Sequence, residues 1–385
     1  MSRHGLLDPA DWPAFRQRAH RHLDQLLDGL EHVADGPVWR PLPEQVKQEL
    51  GGPCPEQPLP LEDLLADIER LILPFGTGNT HPRFWGWVHG SGTPGGLLAE
   101  MTAAALNANC GGRDHAAIYV ERTVVDWARG WFGLPAGTGG LVVGGTSMAN
   151  LLGLTVARHR AVGAGLRAKG LGGQPLVAYS SAEAHLSLAK AFELLGLGHD
   201  ALRKVPVDAD FRLDIEALKQ LVAADRKEGF QPFAVIATAG TVNTGAIDPL
   251  PGIADFCHAE GLWLHIDGAF GAMLALAPDL AGRLSGIERA DSIAFDFHKW
   301  LHVPYDAGCL LIRDGSLQKA AFSGRPDYLA AAGALAGGEP WPCDLGIELS
   351  RGFRALKVWF TLKEHGTLRL GEAIALNCRQ AQALG

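Results

Sequence analysis

The sequence predicts an α/β protein built on a mainly parallel β-sheet with helices on both faces. Short apolar runs alternate with longer helical segments in a repeated strand, turn, helix order, which is typical of parallel sheets. Forty-nine glycines and a hydrophobic fraction of 47% suit a compact fold with many tight turns. With 385 residues, the chain is long enough for one large domain and smaller appendages.

Charge, cysteine content and hydropathy argue against several classes of protein. The formal net charge is -8 and the pI is near 6.0, with no block of Lys and Arg, so nucleic acid is not the expected partner. The six cysteines are scattered without CxxC or metal-ligand spacing, which indicates reduced thiols, no metal site and a cytoplasmic location. Neither a signal peptide nor a run of about eighteen apolar residues is found, so no membrane contact is expected.

A lysine is expected at the end of a buried strand. Residues 292–295 form a short apolar run that ends in Asp296-Phe297-His298-Lys299-Trp300. Partial desolvation of the Lys299 amine disfavours its charged form, which is what a Schiff-base lysine needs. A lysine that leaves the sheet edge and reaches water is the alternative. A second element upstream favours the first interpretation.

That second element is a strand that closes on an acid and two small residues. The apolar run at residues 262–266 precedes Asp267, Gly268 and Ala269. A carboxylate at this point can reach a flat heteroaromatic ring and hold its pyridine nitrogen protonated, with a methyl group or bare backbone against the ring face. The alternative for Asp267 is a helix N-cap.

A glycine-rich turn predicts an anion site between strand 141–143 and a long helix. Gly144 and Gly145 let the backbone approach an anion, to which the first helical N–H groups and the hydroxyls of Thr146 and Ser147 can donate. The turn is neither GxGxxG nor a Walker loop, so it fits a nucleotide poorly. An ordinary helix N-cap is the alternative.

Two further strand ends carry polar residues. His185 follows the strand at 176–179, and Thr241 follows the strand at 233–237. A lone histidine at such a turn is more often a local hydrogen-bond donor than a catalyst. Because ligands of parallel sheets lie beyond the carboxyl ends of the strands, we expect these residues to converge on one site.

Eight sequence motifs occur in register along the chain. They are HPRFWGW at His81, VVDWARGWFGLP at Val124, LVVGGTSMANL at Leu141, AYSSAEAHLSLAKA at Ala178, VIATAGTVNTGAIDPL at Val235, WLHIDGAF at Trp263, FDFHKWLHVPYDAGCLLIRD at Phe295 and LSRGFRALKVWF at Leu349. From about residue 81 to about residue 366, the chain resembles the pyridoxal 5′-phosphate-dependent decarboxylases of the aromatic-amino-acid, glutamate and diaminobutyrate group. The resemblance implies an aspartate-aminotransferase-like fold with a seven-stranded sheet.

The resemblance also implies roles for the residues at the strand ends. Lys299 corresponds to the lysine that holds the cofactor as a Schiff base, and Asp267 to the acid at the ring nitrogen. His185 corresponds to the histidine that stacks on the cofactor near the substrate carboxylate. The other expected cofactor contacts are Thr146 and Ser147, which match the phosphate-binding positions, and Thr241, Ala269 and His298.

The implied reaction is decarboxylation of an L-amino acid to the corresponding amine and carbon dioxide. In the family, a loop tyrosine returns a proton to Cα after carbon dioxide leaves, and Tyr328 falls at that place. The surrounding segment, residues 320–343, is rich in Gly, Ala and Pro, which is typical of a mobile lid. Related aldehyde synthases carry phenylalanine instead of this tyrosine.

Four residues are candidates for contact with the substrate, and together they indicate an aromatic or an acidic amino acid. The four are Trp85, His89, His115 and Arg354. The segment around Trp85 matches one that lines the substrate pocket in the family, often that of the neighbouring subunit. Asp114-His115 stands where the better-known animal enzymes carry Ser-Pro.

The resemblance implies three segments and a homodimer. We expect a helical arm and linker at residues 1–75, a cofactor-binding large domain at 76–345, and at 346–385 the start of a small C-terminal domain that is incomplete by comparison with the family. In the family the N-terminal arm wraps the partner subunit, so the active site is expected at the subunit interface.

Two alternatives to decarboxylation remain open at this level. The same cofactor supports aminotransfer, aldehyde synthesis and carbon–carbon lysis, because the bond that breaks is the one that stands perpendicular to the ring. The other alternative is a cofactor-binding homologue without turnover.

Overall fold

A computed structural model describes residues 7–324 and 340–384. The chain divides into two units, Met1–Pro94 and Gly95–Gly385. The first unit contains the helices α1 (Trp12–Glu31), α2 (Glu44–Leu50) and α3 (Leu61–Asp67). Helix α1 begins after Asp11, whose carboxylate accepts the N–H of Ala14 at 3.0 Å and so satisfies one of the free donors of the first turn.

The second unit is organised around one sheet of seven strands. The strands are β1 (Gly139–Val143), β2 (Leu176–Ser181), β3 (Leu202–Val205), β4 (Gln231–Thr238), β5 (Trp263–Asp267), β6 (Ser292–Asp296) and β7 (Gly308–Ile312). Their order across the sheet is β1-β7-β6-β5-β4-β2-β3. Only β7 runs antiparallel to its neighbours, β1 and β6. The predicted fold class, a mainly parallel seven-stranded sheet, is therefore confirmed.

The helices from residue 94 onward include those that cover both faces of this sheet. They are α4 (Pro94–Leu106), α5 (Ala116–Trp131), α6 (Thr146–Val162), α7 (Leu166–Lys169), α8 (Ser187–Leu194), α9 (Ile215–Lys227), α10 (Leu250–Glu260), α11 (Pro278–Ala281), α12 (Gly315–Phe322) and α13 (Ala355–Leu384), the last broken at Gly366. None of the helices in the described residues is long and apolar enough to cross a membrane.

The two faces bury separate apolar clusters because successive strand residues point to opposite sides. Helices α6, α8 and α12 pack on one face, where Leu152 and Phe192 join Trp263 of β5. Helices α5, α9, α10 and α13 pack on the other face, against residues that include Leu264 and Ile266 of the same strand. Strand β5 is therefore covered on both sides, which fixes the position of the acid at its end.

The element boundaries differ from the sequence-based ones at three places. Strand β3 was not predicted, because it is only four residues long and its middle residues are the charged Arg203 and Lys204. The sequence predicts that the helix after the glycine-rich turn extends to about Arg167, but α6 ends at Val162, since Gly163 has a φ of 88° that ends the helix. Helix α12 reaches Phe322, so the segment expected to be a loop from residue 320 begins three residues later.

Candidate active site

The carboxyl ends of the central strands meet at one edge of the sheet. Thr238 at the end of β4 lies beside Asp267 at the end of β5, and Asp267 lies beside Ala294 of β6. Strand β1 ends next to Gly144 and Gly145, which lead into α6. The convergence expected from the strand, turn, helix pattern is therefore present in the structure.

Lys299 lies three residues beyond the end of β6 and is paired with an acid. Its Nζ is 3.0 Å from Oδ2 of Asp296, whose side chain is only 2% exposed, against 22% for Lys299. The amine is thus held against a buried carboxylate and does not extend freely into water. His298 lies between them in sequence, and its Nε2 is 3.6 Å from the same carboxylate oxygen.

His298 is held by two hydrogen bonds to the backbone of Ala307, the residue just before β7. The backbone N–H of Ala307 donates to its Nδ1 at 3.0 Å, and its own N–H donates to the Ala307 carbonyl at 3.2 Å. Burial lowers the pKa of His298, and the neighbouring Asp296 acts in the opposite direction. A neutral ring that accepts at Nδ1 carries its proton on Nε2, which faces Asp296.

Asp267 is a buried carboxylate with few internal donors. Its side chain accepts hydrogen bonds from Asn150 Nδ2 at 2.9 Å and from the backbone N–H of Ala269 at 3.1 Å. Burial raises its pKa, while these two hydrogen bonds and the charges of Lys299 and His185 lower it. Lys299 and His185 therefore lie close enough to Asp267 for their charges to act on its carboxylate.

The turn before α6 has the shape predicted for an anion site, with one exception. Gly145 has a φ of 156°, and a Cβ on Gly308 would come within 2.5 Å of its Cα. The buried Oγ1 of Thr146 has no hydrogen-bond partner in the part of the chain that the structure describes, and Ser147 is exposed. The N–H of Thr146, however, donates to Oδ1 of Asp296 at 2.7 Å. The expectation that the first helical N–H groups point at an anion is therefore wrong for this residue.

His185 and Thr241 follow β2 and β4, as expected. His185 is exposed, and its Nδ1 accepts the backbone N–H of Ser187 at 3.2 Å, so its other nitrogen carries the proton. Thr241 is buried, and its hydroxyl lies 2.7 Å from that of Thr244. Ala269 is half-buried directly after Asp267.

The four residues expected to contact the substrate have separate environments. Trp85 is 82% exposed, and His89 stacks on Phe84 with ring centres 6.0 Å apart, both within the Met1–Pro94 unit. His115 lines a cavity of about 770 Å³ with Trp341. Its Nε2 lies 3.2 Å from the carbonyl oxygen of Asn109.

Arg354 is already paired with two acids. Its Nη1 and Nη2 donate to Glu348 at 3.0 and 3.2 Å, and its Nε donates to Asp306 at 3.3 Å. A substrate carboxylate would have to compete with these two side chains for the guanidinium group. Tyr328, the expected proton donor, lies outside the described residues.

Two residues of the site were not singled out from the sequence. Asn150 stands one helical turn after Thr146, a spacing that directs both side chains to the same side of α6. Asp296 was noted in the lysine motif without a role, although it contacts Lys299, His298 and Thr146. The i to i+4 spacing is the signal that could have found Asn150.

The residues at this edge fit pyridoxal 5′-phosphate. An amine held at a strand end can bond to its aldehyde, and the buried Asp267 carboxylate can pair with its ring nitrogen. The buried Thr146 hydroxyl, which has no partner among the described residues, and the exposed Ser147 suit its phosphate. The fold and the site therefore define an α/β enzyme of the pyridoxal phosphate-dependent class.

Comparisons with known proteins give the family. A model of the pyridoxal-dependent decarboxylase conserved domain matches residues 43–385. The chain belongs to this pyridoxal-dependent decarboxylase family. It is a pyridoxal phosphate-dependent carboxy-lyase that decarboxylates an L-amino acid, so the predicted family, cofactor and reaction class are confirmed.

Similar proteins include bacterial and plant enzymes. The chain is 35% identical to an aromatic-L-amino-acid decarboxylase of Bacillus atrophaeus, over 93% of this chain and 74% of the relative. It is 31% identical to tyrosine decarboxylase 1 of Narcissus pseudonarcissus, over 98% and 75% of the two chains.

Solved structures show the same similarity. The Oryza sativa TDC crystal structure with PLP and tryptamine has a TM-score of 0.85 at 27% identity, covering 95% of this chain and 77% of the other. Mouse CSAD has a TM-score of 0.87 at 27% identity, with coverage of 97% and 79%.

Proposed function

We propose that the substrates of this enzyme are aromatic L-amino acids, which it converts to arylalkylamines and carbon dioxide. The observation that carries the proposal is the 35% identity to an aromatic-L-amino-acid decarboxylase along 93% of the chain. Relatives named for tyrosine and tryptophan decarboxylation, at 31% and 30% identity, support the same class of substrate.

We further propose the following division of labour among the residues of the site. When bound, pyridoxal phosphate supplies an aldehyde that reacts with amines and a ring that accepts the electron pair released with carbon dioxide. Lys299 provides the amine that anchors the aldehyde, and Asp296, 3.0 Å away, holds that amine in place before the cofactor arrives. Asp267 accepts a hydrogen bond from the ring nitrogen and keeps that nitrogen protonated, because a buried carboxylate gains most from a positively charged partner.

The remaining contacts place the cofactor and the substrate. The hydroxyls of Thr146 and Ser147 donate to the phosphate, and the exposed ring of His185 covers the cofactor near the substrate carboxylate. Thr241, Ala269 and His298 line the site around the ring. Tyr328 returns the proton to Cα, and in this proposal Trp85, His89, His115 and Arg354 contact the substrate side chain or carboxylate.

A substrate panel tests the proposed specificity. Purified enzyme with pyridoxal phosphate is given L-tyrosine, L-tryptophan, L-phenylalanine, L-glutamate and L-2,4-diaminobutyrate, and carbon dioxide and products are measured. We expect equal amounts of carbon dioxide and amine from the aromatic amino acids alone. Turnover of only glutamate or diaminobutyrate would contradict the aromatic assignment. Aldehyde with ammonia in place of amine would instead indicate an aldehyde synthase, such as the relative from Petunia hybrida, which is 30% identical.

The anchoring role of Lys299 has a direct chemical test. Borohydride reduction of the loaded enzyme, followed by peptide mass spectrometry, should find the phosphopyridoxyl group on Lys299. The Lys299→Ala variant should lose both this adduct and the visible absorption band. Lys219→Ala, at an exposed position of α9, is the matched control and should keep both. An adduct on another lysine in the unmodified enzyme would disprove the assignment.

We also propose a cytoplasmic homodimer with its active site at the subunit interface. Helix α4 leaves Leu98, Met101 and Leu106 between 44% and 61% exposed, an apolar surface of the kind that a partner chain covers. Among the described residues, five cysteines form no disulfide bond, which suits a reducing compartment; they are Cys54, Cys110, Cys257, Cys309 and Cys378. Light scattering should give twice the mass of one chain, and Met101→Glu should lower both the mass and the activity. A monomeric, fully active enzyme would contradict the proposed interface.

A further inference from the structure

Behind Asp267, on the sheet face covered by α6, four buried side chains form a continuous chain of hydrogen bonds. Trp263 Nε1 lies 2.7 Å from Ser292 Oγ, and this hydroxyl lies 2.7 Å from His265 Nδ1. His265 Nε2 lies 2.8 Å from Asn150 Oδ1, and Asn150 Nδ2 lies 2.9 Å from Asp267 Oδ2. We call this chain of Trp263, Ser292, His265 and Asn150 the relay.

The strand register and one glycine bring the relay together. Trp263 and His265 are two residues apart on β5 and so share a face, and Ser292 on β6 is the direct neighbour of His265. Asn150 approaches from α6, one turn before Gly153. A Cβ on Gly153 would lie 2.9 Å from Cε1 of His265, so only glycine leaves room for the imidazole. The four relay side chains are at most 1% exposed.

Both ends of the relay impose the same direction on its hydrogen bonds. The indole of Trp263 can only donate, so the hydroxyl of Ser292 accepts from it and uses its own proton toward His265. At the other end, an ionised Asp267 can only accept, so Asn150 presents its NH₂ group to the acid and its oxygen to His265. His265 must then accept at Nδ1 and donate at Nε2.

The surroundings of His265 agree with this assignment. Burial lowers its pKa to about 3, so the ring is neutral at physiological pH and has one acceptor and one donor nitrogen. An imidazolium would donate at both nitrogens, and the Ser292 hydroxyl would then lose its acceptor. The relay is fully satisfied with a neutral His265 only.

We propose that the relay positions Asp267 and presents its carboxylate, oriented by Asn150, as the acceptor for the ring nitrogen of the bound cofactor. The inference deepens the role proposed above for Asp267 and rests on it. The four relay residues do not touch the reacting atoms and act through Asp267, so they are positioning residues. Asn150 Nδ2 also donates to Ser187 Oγ, at the longer distance of 3.4 Å. Replacement of any relay side chain should weaken the contact between Asp267 and the cofactor, although the Asp267 carboxylate is still present.

A double-mutant cycle on cofactor affinity tests this inference. Pyridoxal phosphate is titrated into apoenzyme of the wild type, Asn150→Leu, Asp267→Ala and the double variant, and binding is followed by absorbance. We expect Asn150→Leu to weaken binding by about tenfold in the wild-type background, as loss of an outer-shell hydrogen bond does elsewhere. In the Asp267→Ala background the same change should weaken it by less than about twofold, because the relay then has nothing to orient.

A second readout follows the ring nitrogen itself. With ¹⁵N-labelled pyridoxal phosphate, the ring nitrogen should show the chemical shift of the protonated form in the wild type. The chemical shift should move toward that of the unprotonated form in Asn150→Leu and in Ser292→Ala. The second variant removes only the Ser292 hydroxyl, which is separated from Asp267 by His265 and Asn150. Thr361→Val, which deletes a buried hydroxyl of α13 outside the relay, should leave it unchanged. Ser292→Ala keeps the test available if Asn150→Leu does not fold.

The outcomes separate this inference from the proposed function. Equal weakening by Asn150→Leu in both backgrounds, or an unchanged ¹⁵N shift in Ser292→Ala, would overturn the relay while the enzyme remained an aromatic amino acid decarboxylase. If aromatic amino acids released no carbon dioxide, the proposed substrate class would be wrong. The double-mutant cycle would still test the relay, because it measures only the affinity for pyridoxal phosphate. No effect of Asp267→Ala itself on affinity and shift would overturn the role of Asp267 and the relay together.

Discussion

Asp296 Oδ2 lies 3.0 Å from Lys299 Nζ, and the other oxygen of the same carboxylate accepts the N–H of Thr146 at 2.7 Å. One buried acid therefore links the end of β6, the lysine and the first residue of α6. The link joins the two parts of the site that are proposed to hold the aldehyde and the phosphate of the cofactor.

Replacement of Asp296 should separate its two functions. Asp296→Ala leaves a buried N–H without an acceptor and Lys299 without a counter-charge, so we expect a loss of about 2 to 4 kcal/mol in the free energy of unfolding of the apoenzyme. Asp296→Asn retains an oxygen for the N–H of Thr146 and should lose less than half of that. Urea unfolding measures the loss of stability in both variants. Equal losses would show that the hydrogen bond from the Thr146 N–H to Asp296 does not contribute to stability.

Arg351 should be more important for stability than for the reaction. Its guanidinium donates to Glu121 at 2.9 and 2.6 Å and to the carbonyl of Cys110 at 3.0 Å, and its side chain is 1% exposed. Arg351→Met leaves Glu121 as an unpaired buried charge, so we expect a loss of about 3 to 5 kcal/mol. Arg354→Met, at a more exposed pair, should lose less than 1.5 kcal/mol by the same urea measurement, in line with the roughly 0 to 1 kcal/mol typical of surface pairs. A smaller loss for Arg351→Met than for Arg354→Met would contradict this.

His265 should make the folded state sensitive to acid. Its pKa is lowered from 6.5 to about 3 by burial, so below pH 6.5 the unfolded chain binds a proton that the folded chain refuses. Stability from this residue is therefore intact above pH 6.5 and falls progressively as the pH drops toward 3. Between pH 7 and pH 5, the free energy of unfolding of the wild type should fall by about 2 kcal/mol relative to His265→Gln, which cannot titrate. A constant difference between the two proteins would show that folding does not shift the pKa of His265.

Gly153 should resist replacement although it lies within a helix. Alanine favours a helix over glycine by about 1 kcal/mol, but its Cβ here would meet Cε1 of His265 at 2.9 Å and Cδ1 of Leu310 at 3.3 Å. We expect Gly153→Ala to cost about 1 to 3 kcal/mol in thermal or urea unfolding. The matched control is Gly130→Ala in α5, where a Cβ would meet nothing within 4 Å and stability should rise. A stabilising Gly153→Ala would mean that the imidazole can move.

The strand ends of the site could be predicted from the sequence because parallel strands direct their carboxyl ends to the same edge. Asp267 follows an apolar run whose length fixes the end of β5, and Lys299 follows another that fixes β6. The order of the motifs gave the family and the cofactor. These features depend on local patterns, which a single chain displays directly.

The partners of individual side chains could not be predicted in the same way. Asn150 and Asp267 are 117 residues apart, and their contact depends on how far α6 is pushed toward β5. Arg354 was a candidate for contact with the substrate, and the sequence did not indicate that Glu348 and Asp306 would be its partners. Such pairings depend on side-chain packing, and the hydrophobic periodicity of a sequence does not predict which side chains will meet.

The strand order has a consequence for the spacing of the site. Strand β7 separates β1, which leads to Gly145 and Thr146, from β6, which leads to Lys299, so the two are two strand spacings apart, about 10 Å. Because β7 runs the other way, it begins at this edge, with the small residues Ala307 and Gly308. At this edge β7 adds almost no bulk between the two strand ends that precede the proposed contacts to the phosphate and to the aldehyde. A Cβ on Gly308 would lie 2.5 Å from Cα of Gly145, so we expect a larger side chain there to push the turn before α6 away from the end of β6. The strand that contributes no chemistry thus sets how closely these two parts of the edge approach each other.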